Sequence, residues 1–129
     1  AHGFAAPIGG MFPAPHGAVC AALLPHVMEM NRRALVERQP GSEVLQRFSE
    51  VARVLTGDST AEAVDGVAWV SQLCRDLEIR SLRDFGVGKA DFGLLVEKAS
   101  KASSMKANPI SLTPLELDEI LARATADGQ

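Results

Sequence analysis

At 129 residues, of which 47% are hydrophobic, the chain is one domain by size and can bury about two thirds of its unfolded surface around a single core. A formal net charge of −3 supplies no attraction for polyphosphate and excludes nucleic acid as the main partner. Aromatics make up only 5%, with one Trp and no Tyr, so the core has to be aliphatic and alanine-rich, as in closely packed helix bundles. Cys20 and Cys74 lie in apolar helical patterns and form no Cys-x-x-Cys pair, which reads as two buried free thiols in a reducing cytoplasm. Ala1-His2-Gly3 carries no basic segment ahead of an apolar core, and no apolar run approaches membrane-spanning length. A cytoplasmic protein with no membrane partner is expected.

Residues 2–12 are rich in Ala and Gly and predict a short helix ending near Met11. Pro13-Ala14-Pro15 then forces extended backbone, because proline fixes its own φ and pushes the residue before it out of the α region. From His16 the apolar positions Val19, Cys20, Leu23, Leu24, Val27 and Met28 recur at helical spacing. A second helix is predicted to about Asn31, bent at Pro25. Gln39-Pro40-Gly41 is a turn, and Ser42 caps a third helix. That helix pairs an apolar face (Val44, Leu45, Phe48, Val51, Ala52, Leu55) with a polar one, the pattern of a surface helix with one buried stripe.

Thr56-Gly57-Asp58 ends it, and Ser59 with Glu62 reads as a capping box for a fourth helix with Val64, Val67, Ala68, Leu73, Cys74 and Leu77 inward. Ile79 to Gly88 is a compact connection in which Leu82, Phe85 and Val87 plug the core. A fifth helix is predicted from Asp91 to about Met105, followed by a polar loop ending at Asn108-Pro109. Thr113-Pro114-Leu115-Glu116 starts the last helix with a capping box and proline in the first turn. The fold class is therefore all-α, a multi-helix bundle of about five to six helices in one domain, residues 1–129, with no strand.

The chemistry concentrates in the opening stretch, where His2 and His16 flank Gly9-Gly10 and Pro13-Ala14-Pro15. On one straight helix two residues fourteen apart would share a face but stand about 21 Å apart. Two imidazoles on one metal each need a bond of about 2 Å, so convergence requires the chain reversal that the glycines and prolines permit. A turn-separated histidine pair without other ligands is more often structural than metallic. His26 lies about 15 Å further up the second helix than His16 and roughly 80° round from it, and reads as a capped or surface residue.

The runs His2-Gly3-Phe4-Ala5-Ala6-Pro7-Ile8-Gly9-Gly10, Pro15-His16-Gly17 and Leu23-Leu24-Pro25-His26-Val27, with Asn108-Pro109 before the Thr113-Pro114-Leu115-Glu116 helix, resemble the C-terminal helical domain of the iron-containing (group III) alcohol dehydrogenases. The likeness spans nearly the whole chain and is densest in residues 1–31. It implies the helical half of a dehydroquinate synthase-like fold, and an enzyme that moves hydride between NAD or NADP and an alcohol, aldehyde or ketone. In that family Fe2+, sometimes replaced by Zn2+, is held by one Asp and three His. His2 and His16 match the last two His ligands. The resemblance places the Asp, the first His and the α/β nucleotide-binding domain upstream, so no cofactor-binding residue and no complete catalytic set is expected here.

The implied partners are that N-terminal domain, an alcohol or aldehyde substrate, and a second copy in a homo-oligomer, a dimer. Phe4, Ile8, Met11 and Phe12 are expected to leave an apolar surface on the interdomain side. Two departures from the family pattern matter. Ala6 stands where many members carry a proton-relaying histidine, and Ile110 where many carry arginine after Asn-Pro. Ala6 and Ser104, the latter in the loop Ser103 to Ile110, are candidate substrate-pocket residues. Two other functions fit the same residues: a maleylacetate reductase-like enzyme acting on a small keto acid, and a non-catalytic helical interaction module.

Overall fold

The computed structural model describes residues 2–102 and 108–126. Six α-helices follow in order: α1 (His2–Met11), α2 (His16–Arg38), α3 (Glu43–Thr56), α4 (Ala63–Asp76), α5 (Phe92–Lys101) and α6 (Pro114–Thr125). Two short 3-10 turns, Leu82–Phe85 and Lys89–Asp91, lie between α4 and α5. Among the described residues there is no strand, and no helix is long and apolar enough to cross a membrane. The chain is an all-α bundle, as its patterning predicts.

Helix α2 is the axis of the fold. It packs against α1, α4 and α6, while α5 closes the layer between α1 and α6, and α3 lies mainly on α4. The main core joins Phe4, Ile8, Val19, Leu23, Leu82, Leu95, Leu117, Ile120 and Leu121. Ala22, Ala34, Ala52, Ala99 and Ala124 are also buried, so small residues let the helices approach closely. Helices α3 and α4 approach closely at Gly66, where an added methyl would stand 3.0 Å from Ala52 Cβ and 3.3 Å from its Cα.

Several boundaries differ from the sequence expectation. Helix α2 runs to Arg38 rather than Asn31. Glu29 receives Arg32 at 2.6 Å and Arg33 at 3.2 Å across one helical turn, Arg33 reaches Glu119 at 2.8 Å, and Arg38 reaches Glu116 at 2.8 Å. The hydrogen-bonded Arg32 guanidinium holds the Glu29 carboxyl below the usual carboxylate range. Each such partly exposed pair is individually worth little. The buried Ala34 and Leu35 supply the stronger reason for the extension, because they continue the inward face.

The cap of α4 is Glu62, not Ser59: the Asp65 carboxylate accepts the Glu62 N–H at 2.8 Å. Ser59 instead lies in a turn where Asp58 Oδ1 accepts from the Thr60 N–H and hydroxyl. The stripe of α3 is covered only at Ala52, with Val44, Leu45, Phe48 and Leu55 half-buried and Val51 and Val54 exposed. On α4 the buried positions are Gly66, Val67 and Val70, leaving Val64, Leu73 and Leu77 exposed. Both corrections have one cause: the α3–α4 hairpin sits at the edge of the bundle with a partner on one side only. Of the predicted plug, Leu82 and Val87 are buried and Phe85 is half-buried. Helix α5 ends at Lys101; Met105 lies outside the described residues.

The expected uncovered apolar surface on α1 is not there. Phe4 and Ile8 are 1% and 0% exposed in this chain's own core, Phe12 packs half-buried against it, and only Met11 stays open. Helix α1 lies on α2 and α5, which consume its apolar side.

Helix α4 ends with Glu78 at φ 56, the one non-glycine residue of positive φ among those described. Ile79 N–H donates to Cys74 O and Glu78 N–H to Arg75 O, closing a Schellman turn that glycine fits best. Glu78→Gly removes the Cβ strain at the expense of a looser unfolded chain. Its expected net effect is a gain of about 0.5–1 kcal/mol, read as a higher midpoint in urea denaturation. An unchanged or lower midpoint contradicts this.

Candidate metal centre

The two candidate histidines each open a helix. His2 is the first residue of α1 and His16 the first of α2. Between them the Phe12 N–H donates to Ile8 O at 2.9 Å and the Ala14 N–H to Phe12 O at 2.8 Å, which turns the chain tightly after Met11. Pro15, at φ −61 and ψ 138, sets the entry into α2, and its carbonyl accepts the first helical bond from the Val19 N–H at 3.1 Å. Burial of Phe4, Ala5 and Ile8 fixes the roll of α1, and burial of Val19, Ala22 and Leu23 fixes that of α2.

His16 projects to the exposed side of α2, and its Nε2 lies 3.5 Å from the Sγ of Cys20 one turn further on. A neutral imidazole nitrogen on a rigid helix suits both Fe2+ and Zn2+. Among the described residues no group of three or more His, Cys, Asp or Glu could hold a metal. Of the two candidate ligands, the described side chain of His16 can therefore supply one donor of such a set.

Ala6 is exposed on α1, one turn beyond His2, where its methyl group can neither donate nor accept a proton. Ser104 lies outside the described residues. Ile110 is buried against Ala34 and Leu35, so it belongs to the packing between the loop and α2 rather than to an open pocket wall. His26 is half-buried, away from solvent-facing His16, and lines a cleft of about 80 Å³ between α2 and α4 with Pro25, Ser71, Cys74 and Ile79. Cys74 and Cys20 are both free and only half-buried, and burial raises the Cys74 thiol pKa.

One polar feature of α2 was not legible in the sequence. Asn31 is 5% exposed in α2, and its amide exchanges two hydrogen bonds with the amide of Asn108: Asn31 Nδ2 donates to Asn108 Oδ1 at 3.1 Å, and Asn108 Nδ2 to Asn31 Oδ1 at 2.8 Å. Asn108 Nδ2 also donates to Ile110 O at 2.6 Å. This pair ties the segment entering α6 to the middle of α2.

Comparison with known proteins identifies the family. The chain is 33% identical to 1,3-propanediol dehydrogenase of Klebsiella pneumoniae over 129 residues, covering 95% of this chain and 31% of that enzyme. It is 34% identical to lactaldehyde reductase of Escherichia coli (strain K12) over 125 residues, covering 92% of this chain and 30% of that enzyme. The crystal structure of a 1,3-propanediol oxidoreductase superposes with a TM-score of 0.80 at 29% identity, over 95% of this chain and 31% of that one. The chain thus spans about a third of the length of these relatives. Residues 1–125 match the model of the C-terminal part of the Fe-containing alcohol dehydrogenases, and with the helical fold and paired histidine helices this places the chain in the Fe-containing alcohol dehydrogenase family.

Proposed function

We propose that this chain is the metal- and substrate-facing helical half of an NAD(P)-dependent alcohol dehydrogenase, with His2 and His16 supplying two ligands to one Fe2+ or Zn2+ ion. The observation that carries this reading is the placement of both histidines as the first residues of two successive helices joined by a reversal through Pro13-Ala14-Pro15, with the His16 ring on the exposed side. The remaining ligands and the nucleotide come from an N-terminal α/β domain that packs on this one. The names of the relatives, among them 1,3-propanediol dehydrogenase and lactaldehyde reductase, favour a small alcohol or aldehyde as substrate.

A divalent ion in this place supplies Lewis-acid polarisation of the alcohol or carbonyl oxygen. This chain's own residues hold and orient. His16 is fixed at its backbone by the start of α2, so its ring has few ways to point, which is the preorganisation that a ligand needs. Ala6 cannot relay a proton, and the hydroxyl proton of the substrate leaves through solvent or through a group of the other domain.

Chelator treatment of the enzyme carrying both domains is expected to abolish NAD(P)H-linked aldehyde reduction, and added Fe2+ or Zn2+ to restore it. Activity indifferent to complete metal removal rejects the proposal.

A further inference from the structure

A cleft of about 540 Å³ lies between the two 3-10 turns and the exposed side of α6, and it shares no residue with the candidate metal centre. Small-molecule sites typically enclose about 300–1,000 Å³. One wall is cationic, for Arg83 of the first turn and Lys89 of the second both line it and are exposed. The other wall is Asp118, Ala122 and Thr125, which succeed one another along one face of α6. Val87 and Phe92, buried in the core, form the floor between them.

The two walls differ in what their side chains can do. Gly86, at φ 95, ends the first turn in the left-handed region, and at the second the Gly88 N–H donates to the Asp91 carboxylate at 2.9 Å. The acid closest in sequence to Lys89 is thereby committed to the backbone. Across the cleft, the Thr125 hydroxyl donates to Leu121 O at 2.9 Å and Ala122 O at 3.0 Å within its own helix, and an ionised Asp118 has no proton to donate. The α6 wall therefore accepts hydrogen bonds, and the arginine and lysine wall donates them.

From this polarity we infer that the cleft binds a small hydroxylated phosphate monoester, with its phosphate against Arg83 and Lys89 and its hydroxyls toward Asp118 and Thr125. A phosphate monoester is close to a dianion at neutral pH, which matches two cations, and a guanidinium meets it through paired N–H groups. Arg83 has five such donors, enough to serve a contact within the chain and a phosphate together. Hydroxyls are the donors that the α6 wall can receive, whereas a second anionic group facing Asp118 would be repelled.

Titration calorimetry of the chain with glucose 6-phosphate, inorganic phosphate and glucose, beside amide chemical shifts, tests the site. Glucose 6-phosphate is expected to bind more tightly than inorganic phosphate, glucose not to bind, and the shifts to concentrate at Gly88 and Ala122. Arg83→Gln and Lys89→Gln are each expected to weaken glucose 6-phosphate about tenfold, as loss of a charge-assisted hydrogen bond does. Lys98→Gln, at an exposed lysine of α5 outside the cleft, is expected to leave it unchanged. Asp118→Ala is expected to reduce the preference for glucose 6-phosphate over inorganic phosphate. All four substituted side chains are exposed, and circular dichroism checks that each variant is folded. No binding of glucose 6-phosphate at millimolar concentration, or an equal loss in Lys98→Gln, overturns the site. Inorganic phosphate bound as tightly as the sugar phosphate overturns the assignment to a hydroxylated ester.

Discussion

Replacing His16 with Ala in the enzyme carrying both domains is expected to lower metal affinity by more than about a hundredfold and to remove NAD(P)H-linked aldehyde reduction with it. The magnitude follows from the hierarchy of metal sites. Partners that only orient a ligand cost about 10–100-fold when removed, and a ligand lost outright costs more. Gly17 and Ala18, which follow His16 at the start of α2, carry no side-chain donor atom. Folding offers no competing explanation: His16 is exposed, and α2 is held by Val19, Ala22 and Leu23 rather than by its first residue. His26→Ala is the matched control. It lies in the cleft against α4, so its loss touches packing and leaves metal content at one per active site. Elemental analysis of the two purified variants beside their rates decides the matter. Stoichiometric metal and full activity in His16→Ala would falsify the assignment of this ligand.

How much of this was legible beforehand depended on whether a feature was local. The start of α6 was, because Thr113 Oγ1 accepts the Glu116 N–H and the Glu116 carboxylate accepts the Thr113 N–H, a device written within four residues. The reversal before His16 was equally plain, since two prolines leave the backbone little choice. The end of α2 was not. Asn31 and the arginines after it look like a polar terminus, and only the packing of Ala34 and Leu35 on Ile110 carries the helix onward. The cap of α4 was misplaced by three residues because Ser59 and Glu62 satisfy the same rule that Glu62 and Asp65 satisfy in the structure. At the candidate centre, the residue types and the family came from sequence. The neighbourhood of His16 did not: a histidine and a cysteine four apart on a helix can point together or apart, and the rotamers decide.

Asn31 is the residue whose role was least visible, because its partner lies 77 positions away. Asn31→Ala is expected to destabilise the chain by about 1–3 kcal/mol, the loss of two neutral hydrogen bonds at about 0.5–1.5 kcal/mol each. Asn108→Ala gives up the same two bonds and the one to Ile110 O, so its expected cost is at least as large. The decisive quantity is the double variant. Each amide is the other's donor and acceptor, so once one is gone the second has lost most of its purpose. The combined cost is expected to fall short of the sum of the two singles by about 1 kcal/mol or more, as it does for residues in one network. Urea denaturation of the four proteins gives the cycle. Strictly additive costs would mean that the reciprocal pair contributes nothing, and that the segment entering α6 is held by Ile110 alone. A coupled result means that Asn108 fastens the segment entering α6 to α2, the helix that also carries the buried Ala34 and Leu35.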